Sequence, residues 1–188
     1  MWFHTRDLEL EQKVQRRPVF GSVTGTRSAP EELAKPLLIL QREHETVLAE
    51  TRRILSAIKG LGQMEGGLKR LAPEAVIDIE PLMQLLLAHQ AREERVLLPI
   101  VEKYLDSDAS GTIRSEHMHI QAALKKAEAE LVSFKRKESK TSEIEQAFRE
   151  LHLIIETHFS REENVLFWFA SLNLSESESD EMAANLLR

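Results

Sequence analysis

Apolar residues recur at alternating steps of three and four along most of this chain, which is the spacing of one face of an α-helix. Four such runs extend from Leu33 to Ile58, from about Pro81 to Ile100, from Ile113 to Phe134 and from Ile144 to Phe169. The period-two alternation of a half-buried strand does not occur in the sequence. The pattern therefore predicts an all-α protein with four long amphipathic helices, which is typical of an antiparallel up-down four-helix bundle.

The ends of the runs predict the domain limits. Residues 1–27 carry mixed charge and then a turn-rich piece, so we expect an N-terminal extension with one short helix near residues 7–16. Residues 28–172 are predicted to form the bundle, and residues 173–188 a C-terminal tail or short helix. Pro99 is expected to kink or weaken the second helix, and DSDASG, residues 106–111, to form a turn. Capping boxes are predicted at Ser28 with Glu31, Ser142 with Glu145, and Ser175 with Glu178.

Six polar residues lie in phase with the leucines and isoleucines of these runs. Burying an ionised carboxylate costs several kcal/mol, and a buried imidazole needs partners for both nitrogens. A pair of divalent or trivalent cations would satisfy both ligand types. The six predicted metal ligands are His44, His89, Glu93, His117, His158 and Glu162.

A repeated motif strengthens this prediction. His-x-x-Arg-Glu-Glu-x-Val-Leu occurs from His89 to Leu97 and again from His158 to Leu166. In each copy a glutamate follows the histidine by four residues, so both side chains share a helix face and can chelate one metal ion. Two copies imply a paired site.

The symmetry of the motifs also predicts the coordination. His44 and His89 would bind one metal, His117 and His158 the other, and the two glutamates would bridge them. With an oxo, hydroxo or water bridge, each ion has about five ligands and one open position. Mixed imidazole and carboxylate ligation favours iron, then manganese, with zinc less natural.

Composition narrows the function classes. The net charge of -6 and the pI of about 5.7 argue against nucleic-acid binding, which usually requires a basic surface. The absence of cysteine excludes disulfides, thiolate metal sites and thiol catalysis. The first residues lack the apolar core of a signal peptide, and no apolar run approaches the roughly 20 residues of a membrane span. We therefore expect a cytoplasmic protein that does not bind membranes.

The six residues carry a family resemblance. The order His, His-x-x-x-Glu, His, His-x-x-x-Glu on four successive helices resembles the hemerythrin-like, or HHE cation-binding, domain over about residues 31–170. The segments QREHETVL, HQAREERVLLP, SEHMHI and HFSREENVLF carry the resemblance. It implies a non-haem di-iron centre that binds dioxygen, or a related small ligand such as nitric oxide or peroxide.

The chain departs from the oxygen-carrying hemerythrins at two positions. Those proteins have a further histidine where this chain has Gln121, and their fourth-helix carboxylate is an aspartate in the register of Glu163. With one imidazole fewer, both metals should be open to ligands. This weakens the case for a dedicated oxygen carrier and favours sensing, iron handling or peroxide chemistry.

Other roles are kept open. A di-iron enzyme turning over peroxide or nitrogen oxides is the first alternative, and a metal-stabilised helical module that binds an unidentified protein is the second. A metal-free bundle with a buried polar network is the alternative to any metal site.

Several residues near the motifs receive less specific predictions. Glu94 and Glu163 are expected on the flank of the bundle, as fallback ligands. Arg92 and Arg161 are interpreted as surface residues, with a clamp on a carboxylate as the less favoured alternative. Trp168 and Phe169 are expected to pack in the core, and His4, His119 and His152 to be exposed or partly exposed.

Overall fold

The computed structural model describes residues 33–64, 77–104 and 107–187. All regular elements in these ranges are helices, which confirms the predicted all-α class for this part of the chain. None of the described helices is both long enough and apolar enough to cross a bilayer. In chain order the elements are α1 (Lys35–Met64), α2 (Glu80–Arg92), a π-helical turn π1 (Glu93–Leu97), α3 (Leu98–Tyr104), α4 (Ser107–Lys135), α5 (Thr141–Arg161), a second π-helical turn π2 (Glu162–Phe167), α6 (Trp168–Asn173) and α7 (Glu176–Leu186).

The apolar residues that recur at steps of three and four form one stripe along each helix, and these predicted stripes become the buried faces of the helices. Helix α5 packs most extensively against α4 and α1, and α1 also packs against α2 and α7. The buried apolar residues form two clusters. On α1, Leu40 belongs to one cluster and Val47 to the other, with the buried His44 between them. The same order recurs on the other long helical runs, so a polar layer separates the two clusters.

The two π turns change the face that is buried after them. A π turn adds one residue to a helical turn, which rotates all later side chains by roughly 100°. Ile100 and Val165, predicted to be on the stripe, are therefore only partly buried. Leu98, Val101 and Phe167 are fully buried instead. The stripe predictions are wrong at these positions because they assumed uninterrupted α-helices.

Pro99 is not the common cause of these turns. It lies after π1 and inside the continuous helical run that ends at Tyr104. The second copy of the motif has Trp168 in the corresponding place and contains the same kind of turn. Both turns lie on the repeated Glu-Glu-x-Val-Leu segment, and each begins at a predicted ligand, Glu93 in π1 and Glu162 in π2.

The helix ends agree in part with the predictions. Ser175 and Glu178 form the predicted capping box: the Ser175 Oγ accepts a hydrogen bond from the Glu178 N–H, and the Glu178 carboxylate accepts one from the Ser175 N–H. The box at Ser142 and Glu145 is wrong. Helix α5 begins at Thr141, and the Glu143 carboxylate accepts a hydrogen bond from the Lys140 N–H at 2.7 Å.

Two further predictions concern chain segments between and before the helices. The turn expected over residues 106–111 is wrong in extent, because α4 already begins at Ser107. Residues 7–16 and the box at Ser28 and Glu31 lie outside the described residues.

Candidate metal centre

The six predicted ligands come together in the polar layer between the two apolar clusters. Each side chain is at most 2% exposed. Helix α1 contributes His44, α4 contributes His117, and each motif copy contributes a histidine at the end of an α-helix and a glutamate at the first position of a π turn. The spacing of the apolar residues predicted this convergence because no π turn precedes any of the six residues within its own helical run.

The inward atoms of these residues form two groups that share both carboxylates. We call them the His44 group (His44, His89, Glu93, Glu162) and the His117 group (His117, His158, Glu93, Glu162). In each group one ligand atom per residue lies within 4.8 Å of the others. The shortest distances from each Nε2 to a shared carboxylate are 3.3 Å for His44, 3.2 Å for His89, 3.2 Å for His117 and 3.4 Å for His158.

Four other glutamates bind the outer nitrogens of the same imidazoles. In each pair the histidine Nδ1 donates to a carboxylate, which leaves Nε2 as the nitrogen that faces the centre. Such contacts fix the ring orientation and the tautomer, as is usual for histidines that bind metals. The pairs are His44 with Glu163 at 2.8 Å, His89 with Glu43 at 2.9 Å, His117 with Glu94 at 2.8 Å and His158 with Glu116 at 2.8 Å.

This ring of outer glutamates corrects and extends the sequence analysis. Glu94 and Glu163 do lie on the flank, being 45% and 30% exposed, but each contacts a buried histidine rather than only solvent. Glu43 and Glu116 were missed. A signal was present, because each immediately precedes a predicted ligand in the repeated dipeptide Glu-His.

The two arginines of the motif hold two of these glutamates. Arg92 forms an ion pair with Glu43 at 3.0 Å, and Arg161 forms one with Glu116. Both arginines are partly buried, at 34% and 11% exposure. The prediction of a surface position is wrong for Arg161, whereas Arg92 lies partly at the surface. The alternative that they clamp a carboxylate is confirmed for both.

The remaining candidate residues lie outside the cluster. Phe169 is buried as predicted, whereas Trp168 is 40% exposed and does not pack in the core. His119 is exposed. His152 is partly buried and hydrogen-bonds to the Thr51 hydroxyl at 2.7 Å. His4 lies outside the described residues.

The charges of the cluster shift its pKa values strongly. Burial acts to lower the pKa of His44, but the carboxylates of Glu162 and Glu93 outweigh it and raise the pKa to about 9. For His89 the same burial is outweighed by the carboxylates of Glu93 and Glu43, which raise the pKa to about 10. Burial acts to raise the pKa of Glu93, but the surrounding imidazoles hold it well below its usual range. A metal ion must therefore displace protons from these imidazoles at neutral pH.

The donor set fits a metal better than a self-sufficient polar network. Buried polar groups in proteins are nearly always hydrogen-bonded. Here the closest inward contacts are longer than the roughly 2.7–2.9 Å of a charge-assisted hydrogen bond. Among the described residues, no hydrogen-bond partner is found for the Nε2 atoms of His44, His89 and His158, for Oε1 of Glu93 or for either carboxylate oxygen of Glu162. Imidazole nitrogen and carboxylate oxygen are ordinary metal ligands, so this buried cluster could hold a metal ion.

Comparison with known proteins identifies no relative of this chain. No protein-family model, curated protein or solved structure matches the chain. The functional assignment therefore depends on the residues and the geometry of this chain.

The outer glutamates can be tested through metal affinity. Replacing Glu116 with alanine removes the acceptor for His158 Nδ1 and the partner of Arg161, so we expect metal affinity to fall about ten- to a hundredfold. Glu116→Gln should recover part of it, because the amide oxygen accepts the same hydrogen bond without the charge. The measurement is a competitive titration with a chromophoric chelator. Glu128→Ala, at an exposed position of the same helix, is the matched control, and equal affinities for the Glu116 and Glu128 variants would contradict the assigned role.

The raised histidine pKa values predict opposite pH dependences with and without metal. Folding raises the pKa of His44 and His89 to about 9 and about 10, so their contribution to stability is complete below about 6.5 and is lost as the pH rises through these values. With a chelator present and no metal bound, the urea concentration at the unfolding midpoint should decrease as the pH rises from 7 to 10. With zinc as a redox-inert probe, the stabilisation by metal should grow over the same range, because the ligands lose their protons.

Variants isolate the contribution of the cluster. In the presence of chelator, His44→Phe should reduce the decrease of the urea midpoint between pH 7 and pH 10. His119→Ala, at an exposed position, should leave this decrease unchanged. Stabilisation by zinc that weakens as the pH rises from 6 to 8 would contradict metal binding by these imidazoles.

Proposed function

We propose that this chain is a hemerythrin-like protein. In this proposal residues 28–172 form an up-down four-helix bundle around a non-haem di-iron centre, which binds dioxygen or a related small ligand, nitric oxide or peroxide, for sensing, storage or protection. The observation that carries the proposal is the sharing of Glu93 and Glu162 by two separate pairs of histidines. Two shared carboxylates are the arrangement expected for two neighbouring metal ions.

The choice of iron follows from the ligand chemistry. Each group offers two imidazole nitrogens and one oxygen from each shared carboxylate, and an oxo or hydroxo bridge would add a fifth ligand. Iron and manganese accept such mixed nitrogen and oxygen sets in six-coordinate geometry, whereas structural zinc favours four ligands. Imidazole nitrogen is a softer ligand than carboxylate oxygen, so the two imidazoles in each group favour iron over manganese.

An open coordination position supports a ligand-binding role. Five ligands would leave one position open on each six-coordinate iron, and reduced iron there would supply the electrons for reversible binding of dioxygen. The protein contributes ligand side chains that are each at most 2% exposed, with an apolar cluster on either side of the polar layer. The outer glutamates keep the histidine rings in the binding orientation.

The enzyme alternative ranks second because it requires a proton donor near the metals. The acids next to the shared pair are the four outer glutamates, and each already accepts a hydrogen bond from a buried histidine. All four are therefore engaged in holding the histidine rings. Peroxide consumption much faster than that of free iron would favour the enzyme, and consumption no faster would remove it.

The proposed function is tested by the visible absorption of iron-loaded protein as air is admitted and then removed. We expect about two irons per chain and a charge-transfer band that appears with air and disappears without it. Glu93→Ala removes a ligand shared by both groups, so iron should fall well below two per chain and the reversible band should be lost. Glu45→Ala, at an exposed position next to His44, is the control and should behave like the unaltered chain.

Two results would contradict the proposal. Undiminished iron in the Glu93 variant would exclude the shared-carboxylate site. A band that appears once and persists would indicate oxidation chemistry in place of reversible binding.

A further inference from the structure

The two metal groups have the same ligand types but different surroundings. The ring of Phe159 lies parallel to the His44 imidazole, with centroids 3.8 Å apart and an interplanar angle of 6°. The same phenyl ring meets His89 edge to face at 5.2 Å, and Phe167 lies 5.4 Å from His44. Phe159 also reaches His158 of the His117 group, at 5.6 Å and a tilt of 41°, whereas Phe167 is found only against His44 among the described residues. The phenyl rings stacked on His44 offer no hydrogen-bond donor to a molecule bound at the His44 group.

An amide takes the corresponding place beside the His117 group. In the repeated motif, Phe159 follows His158 and Gln90 follows His89, so the two residues occupy equivalent positions. Within the described part of the chain, the aromatic ring found against His117 is that of His158, at 5.1 Å. The near symmetry of the site is thus broken at two positions, one in the motif and one directly after it, where Gln90 corresponds to Phe159 and Leu98 corresponds to Phe167.

Gln90 is an unusual core residue. Its side chain is only 3% exposed, and its Oε1 accepts a hydrogen bond from Gln121 Nε2 at 3.0 Å. Its own Nε2 is buried without a hydrogen-bond partner among the described residues. Leaving such a buried donor unpaired is destabilising, so a partner for this N–H group is expected in the functional state.

Contacts between the same two helical runs place this amide next to the His117 group. His117 Nε2 lies 3.2 Å from Glu93 Oε2. Gln121 follows His117 by four residues, and Gln90 precedes Glu93 by three, so both glutamines lie one helical turn away on the same faces. The Gln90–Gln121 pair therefore forms the next layer beside His117 and Glu93.

We propose that the small exogenous ligand binds at the His117 group and that Gln90 Nε2 donates a hydrogen bond to it. Gln121 holds the amide in place through Gln90 Oε1. The ligand class is a small molecule with one atom that binds the metal and a second atom that accepts a hydrogen bond, such as azide, nitric oxide or dioxygen. This inference depends on the proposed metal centre and adds the position and the recognition of its ligand.

Azide binding to the oxidised, iron-loaded protein tests the inference. Azide is the probe, and its affinity is read from the charge-transfer band in a titration. Gln90→Leu removes the donor and keeps an apolar side chain of similar size, so we expect the azide Kd to rise about five- to tenfold with iron content unchanged. Gln84→Leu, at an exposed position of the same helix, should leave the Kd unchanged.

A second variant distinguishes the two groups. Gln121→His places an imidazole one turn from His117 on the same helix face, where it can fill the open position of the His117 group. We expect azide affinity to fall by more than in Gln90→Leu, with iron retained. If azide instead binds at the His44 group, Phe167→Leu will change its Kd while Gln90→Leu and Gln121→His will not, and that result would overturn the inference.

Iron content separates this inference from the proposed function. An unaltered chain that binds no iron refutes the metal centre and the ligand position together. An unaltered chain that holds about two irons and binds azide, with a Gln90→Leu variant of equal azide affinity, refutes the ligand position alone.

Discussion

The burial of two carboxylates and four imidazoles between two apolar clusters is the constraint on which the rest of the structure depends. Glu93 and Glu162 are completely buried, and burial alone strongly disfavours their charged forms. The imidazoles oppose this by holding the pKa of Glu93 well below its usual range. Protons on His44 and His89 supply the balancing charge without metal, and metal ions would supply it in the loaded protein.

The surrounding structure orients this cluster from outside. Each imidazole turns Nε2 inward because its Nδ1 donates to an outer glutamate. Arg92 and Arg161 in turn hold Glu43 and Glu116, so the support extends from the partly exposed flank to the centre. The two π turns begin at the shared glutamates, and π turns inside α-helices often mark functional sites. The near two-fold repeat of these features matches the repeat of the motif in the sequence.

Much of the candidate site could be predicted from the sequence, because helical phase is a reliable guide to which residues share a buried face. His44 and His117 were identified in this way, and the motif copies provided the remaining ligands. The π turns could not be predicted, since Val96, Leu97 and Leu98 are all apolar and fit either helical phase. The outer ring was only partly found, because the roles of Glu43 and Glu116 depend on side chains reaching across to another helix. The ion pairs of the motif arginines depend on the same tertiary arrangement.

The most direct test of the metal centre is anomalous diffraction at the iron edge from crystals of the iron-loaded protein. A di-iron centre predicts two peaks, one within about 2.3 Å of the Nε2 atoms of His44 and His89 and the other equally close to those of His117 and His158. Both peaks should contact the carboxylates of Glu93 and Glu162. Peaks at the outer glutamates, or a polar layer without any peak, would contradict a metal centre at these six residues.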